Sequence, residues 1–187
     1  MNTWQFAPLH APSAALVQLL VMALGLSLGL FAVWKTVRGM EKILKMPDGS
    51  AFLDALEHFL SEKHSTRAAE MSQPELGFLA LRELSRHVRR SGFEGYFRTP
   101  SANYLSEALW CLRAIGAARS ASLVEEAAAQ FPCPVPELTA ERCAVMDTLP
   151  EECSAHWERL SEEFNRIGDS LNASLNAFVR KNEREFR

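Results

Sequence analysis

Charge is what the beginning of this sequence lacks. The first 34 residues contain no Lys, Arg, Asp or Glu, and within them Ala14 to Trp34 runs for 21 residues with Gln18 and Ser27 as its polar interruptions. At about 1.5 Å per residue this run covers about 30 Å, the depth of bilayer hydrocarbon, and a helix satisfies its own backbone hydrogen bonds there. The pattern predicts a transmembrane helix over 14–34 after a short extracytoplasmic tail over 1–13, with Trp4, Phe6 and Trp34 as interfacial aromatics. A cleaved signal peptide fits less well, because no basic segment precedes the run and Lys35 comes directly after Trp34. Lys35, Arg38, Lys42 and Lys45 make 35–49 a basic juxtamembrane linker and place residues 50–187 on the cytoplasmic side, as expected of a single-pass bacterial inner-membrane protein. Gly25 and Gly29 form a GxxxG pair that allows a homodimer through the span.

Catalytic signatures are also missing. There is no phosphate-cradling glycine loop, no HExxH and no GxSxG, so the common nucleotide, zinc-protease and hydrolase chemistries have no footing. Cysteine is sparse and unpatterned: Cys111, Cys133, Cys143 and Cys153 read as thiols rather than a disulfide framework. Cys143, Cys153 and His156 offer one C-x-x-H and no close cysteine pair, which is poor zinc spacing. Cys153 and His156, three apart on a predicted helix, are neighbours without the oriented base a thiol nucleophile needs. No cofactor, no metal and no enzymatic activity are expected. A thiol or metal enzyme stands as the least supported alternative. The net charge of −3 gives no argument for direct nucleic-acid binding.

What is present is helical periodicity. Hydrophobic residues make up 48% and charged residues 23%, a globular balance that residues 50–187 are long enough to fold. Phe52, Leu53, Leu56, Phe59 and Leu60 mark a first amphipathic helix; residues 61–73 are polar and read as a loop. Ser72-Gln73-Pro74-Glu75 is a capping-box start for a helix to about Arg90, whose basic C-terminal end suits the helix dipole. Residues 91–100 then break the period with two glycines and a proline, yet carry Phe93, Tyr96 and Phe97, rings expected either to plug the core or to meet a partner. Leu105 to Ile115 and Ala121 to Phe131 predict a helical hairpin, ended by Pro132, Pro134 and Pro136. Thr148-Leu149-Pro150-Glu151 suggests a second capping box, leading into one long C-terminal helix with the stripe Trp157, Leu160, Phe164, Ile167, Leu171, Leu175 and Phe178. The expected fold class is all-α, about five to six helices after the transmembrane helix.

From Ser120 to Glu163 there are ten carboxylates against Arg142 and Arg159, a net of −8. Such a surface steers basic partners, although many helix charge runs are only solvated faces. The candidate partner-binding residues are Glu125, Glu126, Glu151, Glu152, Glu158 and Glu162.

Three segments, 72–97, 104–132 and 160–186, resemble the bacterial domain family related to the DNA-mimic proteins. The most specific pieces are the GF-x-x-YF loop formed by Gly92, Phe93, Tyr96 and Phe97, the EAL…AIGA helix, and the Phe131-Pro132 that closes the next helix. The resemblance implies an all-α fold over roughly 50–187, self-association, and an acidic surface that imitates duplex phosphates to occupy a helix-turn-helix transcription factor. The leading expectation is a membrane-anchored, non-enzymatic module that binds a protein partner. The alternative is a regulatory DNA mimic acting through the acidic 120–163 surface.

Overall fold

The computed structural model describes residues 39–186, and their regular secondary structure is entirely helical. After a helical stretch that ends at Leu44, the main helices are α1 (Ser50–Arg67), α2 (Gln73–Phe97), α3 (Leu105–Ala114), α4 (Ala118–Ala128), α5 (Thr139–Met146) and α6 (Glu151–Lys181). α2 packs against both α3 and α6, while α4 bridges α3 and α6. The expectation of an all-α fold preceded by a transmembrane helix is corrected in its second part. Among the described residues no helix is long and apolar enough to cross a membrane, and the 14–34 run, with Gly25 and Gly29, lies outside them.

Polar residues 61–67 are helical, not a loop, and continue α1. Lys63 Nζ reaches both carboxylate oxygens of the buried Glu75 at 2.7 Å. Glu75 also closes the predicted capping box: its Oε2 accepts the Ser72 N–H at 2.9 Å, and Ser72 Oγ accepts the Glu75 N–H at 3.4 Å.

α2 is bent rather than ended near Arg90. Ser91 (φ −145°) and Gly92 (φ +68°, ψ −178°) leave the helical region, and the helix resumes through Phe97. Residues 93–97 are therefore helical where the sequence pattern predicts an aromatic loop. The resumed turn buries Phe93, Tyr96 and Phe97 completely. Phe97 meets Phe131 edge to face at 5.1 Å and lies tilted at 5.7 Å from Trp157, and Phe93 lies edge-on to Phe164 at 5.6 Å. The rings are core.

The hairpin is present. Gly116 (φ +75°) terminates α3 in a Schellman arrangement in which Ala117 N–H donates to Leu112 O at 2.8 Å, turning the chain into α4. α5 has no counterpart in the sequence pattern. It is eight residues long, and the Thr148 hydroxyl donates to Val145 O at 2.7 Å, so this threonine closes α5. The second capping box does not form, since Pro150 occupies the N-cap of α6 without a side-chain bond. α6 continues unbroken through Gly168 for 31 residues.

Two arginines fasten segments that have little regular structure. Arg142, fully buried, donates through Nε to Phe97 O (2.5 Å), through Nη1 to Pro136 O (2.7 Å) and Glu137 O, and through Nη2 to Thr99 O (2.7 Å) and Asn103 Oδ1 (3.0 Å). Burial pushes its guanidinium below the ordinary arginine value, and the ring of carbonyl dipoles compensates the cation without any carboxylate. Arg180, near the end of α6, donates to Leu44 O, Met46 O and Asp48 Oδ1, and lies 4.3 Å over the Phe52 ring.

Candidate partner-binding face

The N-terminal half of α6 carries the acidic residues, and two hydrogen bonds fix its position. Trp157 Nε1–H donates to Ala127 O at 2.8 Å, holding α6 to α4. Ser161 Oγ accepts the Phe93 N–H at 2.8 Å and donates to Trp157 O at 2.6 Å, which holds α6 to the bend of α2. Residues 151, 158 and 162 recur at helical spacing and lie on one side of α6.

A groove of about 590 Å³ runs between this side of α6 and the α2 bend. Glu151, Glu158 and Glu162 line one wall; Arg89, Arg90 and Glu94 line the other. None of the three glutamates forms an ion pair among the described residues, and Arg89 and Arg90 likewise have no carboxylate within ion-pair distance among them. Glu158 and Glu162, one turn apart, repel by about 0.2–0.5 kcal/mol. Glu151 and Glu152 occupy the first turn of α6, where the helix dipole favours negative charge.

The six acidic residues singled out by the sequence thus fall into two sets. Glu151, Glu152, Glu158 and Glu162 are exposed along one helix and form no ion pair among the described residues. Glu125 instead pairs with Arg113, and Glu126 accepts from His156 Nε2 at 3.0 Å. Glu163 and Asp147, also within the acidic stretch, pair with Arg119 and Arg98. The acidic surface is narrower than the charge count, because chain-distant cations cover part of it.

The thiol readings find no support in the geometry. His156 Nδ1 lies 2.6 Å from Arg159 Nη2 while Nε2 faces Glu126, so both ring nitrogens are engaged away from Cys153. Among the described residues no three His, Cys, Asp or Glu side chains converge as a metal site would require. Cys111 is wholly buried, and desolvation pushes its thiol up to about 12. In the aromatic motif, Tyr96 is likewise held neutral by burial, an effect partly opposed by nearby Arg142. Sequence reasoning missed Arg142 and Ser161. Neither sits in a motif, and a lone Ser or Arg on a helix gives no periodic signal.

A protein-family model described as DMP19-like protein matches residues 69–182, which spans α2 to α6 and includes the bend, the hairpin and the acidic helix. No curated protein and no solved structure matches the chain.

Proposed function

Since the chain belongs to the DMP19-like protein family, we propose that its helical domain is a protein-interaction module that engages a basic partner through the N-terminal half of α6. The observation that carries this reading is the set of four exposed carboxylates, Glu151, Glu152, Glu158 and Glu162, that form no ion pair among the described residues and stand on one helix held by hydrogen bonds to its neighbours. Carboxylates without ion-pair partners attract a cationic surface without first having to break internal ion pairs, and their spacing along a helix selects partners whose cations are similarly arrayed. A surface that normally contacts nucleic-acid phosphates has that character. The finer proposal is therefore that the partner is a DNA-binding protein and that the domain competes with duplex DNA for it.

The test is capture of partners on the immobilised full chain, compared with a chain carrying E151Q, E152Q, E158Q and E162Q together. The expected result is retention that falls steeply with added salt, is displaced by duplex DNA and is lost in the quadruple variant. Retention that ignores both salt and the four substitutions would reject the acidic face as the contact. Retention that obeys both but ignores DNA would keep the interaction module and remove the DNA-binding partner.

A further inference from the structure

We propose that a second site, unconnected with the acidic face, binds a protonated primary alkylamine in the pocket between α1, α2 and the 3-10 turn Pro100–Tyr104. The pocket holds about 250 Å³, too little for a drug-sized ligand and suited to a short chain. Its apolar floor is Leu76, Leu79 and Ala80 of α2, and its rim carries Glu83, His64 and Tyr104.

The head-group preference comes from Glu83. Its Oε1 accepts from Arg86 Nη1 at 2.8 Å, but Oε2 has only long contacts, 3.5 Å to Ser101 Oγ and 3.5 Å to His87 Nε2. One carboxylate oxygen at the edge of an apolar pocket is thus left short of a good donor. An alkylammonium supplies that donor with charge, while its chain covers the leucines. A neutral chain would desolvate Oε2 without replacing its water, and an anion would be repelled. The rim agrees: Tyr104, held edge to face against His64 at 5.3 Å with its Oη 3.0 Å from His64 Nε2, contributes a phenol ring, whose electron-rich face favours a cation over an anion. The nearby Ser101, His87 and Glu83 do not form a hydrolytic relay. The same nitrogen, His87 Nε2, lies 3.3 Å from Ser101 Oγ and 3.5 Å from Glu83 Oε2, whereas a relay uses the two ring nitrogens separately.

A free amine and a lysine side chain offer the same chemistry, and the experiment separates them. The full chain, labelled with ¹⁵N, is titrated at pH 7 with n-pentylamine, with acetyl-lysine methylamide and with 1-pentanol. Both amines, with pKa values of about 10.4, are then charged. The expected result is movement of the amide signals of Ser61, Ser65, Leu79 and Ser101, with the better amine binding about tenfold tighter than the alcohol. E83Q should erase that ratio, and S65F, an exposed substitution at the mouth, should block all three ligands. Tighter binding of acetyl-lysine methylamide assigns the pocket to a lysine of a polypeptide; tighter binding of pentylamine assigns it to a free amine. Equal affinities for amine and alcohol, a ratio unchanged by E83Q, or signals that move elsewhere would overturn the proposal. The ratio is measured within each variant, so a loss of stability in E83Q does not imitate a loss of recognition.

Discussion

Ser161 Oγ, on α6, accepts the backbone N–H of Phe93 across the bend of α2 at 2.8 Å. That amide is buried and has just left a helix whose ladder would otherwise have satisfied it, so the serine supplies what the bend removes. Replacing Ser161 with Ala leaves the donor without a partner and is expected to cost about 1–3 kcal/mol, read as a lower urea midpoint at unchanged slope. Ser161→Thr, which keeps the hydroxyl, should recover part of the loss.

Gly92 stands at φ +68° and ψ −178°, a region that side chains with a Cβ avoid, and an added Cβ would lie 3.1 Å from Ser161 Oγ. Gly92→Ala is expected to destabilise by about 1–3 kcal/mol. Gly116→Ala, also at positive φ but with no atom near its Cβ position, should cost less. Thermal unfolding of the two variants side by side checks the order.

Arg142→Met keeps much of the side-chain volume but strips donors from Phe97 O, Thr99 O, Pro136 O and Glu137 O. The expected loss is about 3 kcal/mol or more, since several buried carbonyls are left unpaired together. Arg142→Lys should recover little, because one ammonium cannot reach acceptors spread around a planar guanidinium. Hydrogen exchange should quicken first in residues 97–103 and 136–142.

Cys111 gives a prediction in pH. Burial raises its thiol from 9.0 to about 12, so the fold binds the neutral form. Its contribution to stability is intact below pH 9 and is lost as pH climbs through about 12, because the unfolded thiol ionises first. Cys111→Ala should flatten the alkaline fall in stability. At about pH 8 a thiol reagent should modify the exposed Cys133 quickly and Cys111 only on unfolding.

Periodicity disclosed the long elements. The stripe from Trp157 to Phe178 and the Ser72–Glu75 capping box each involve residues within a few turns of one another, and each is found where the pattern put it. What stayed illegible depends on distant partners. Residues 61–67 look like a loop until Lys63 is seen to meet Glu75; residues 93–97 look like one until their rings fill the space beside Trp157 and Phe131. The candidate site obeyed the same rule. Charge density marked the acidic stretch, but the contacts of Glu125 with Arg113 and of Glu126 with His156 are tertiary facts that no local pattern announces.

Arg180 reaches back to Leu44, Met46 and Asp48 and covers Phe52, while the family match begins at residue 69. The cooperative folding unit is therefore wider than the stretch that identifies it. A fragment trimmed to 69–182 would strand the Arg180 guanidinium, uncover the α1 side of the core and lose Phe186, whose ring sits edge-on to Phe78 and Phe178. A fragment that keeps residues 40–186 retains both clasps.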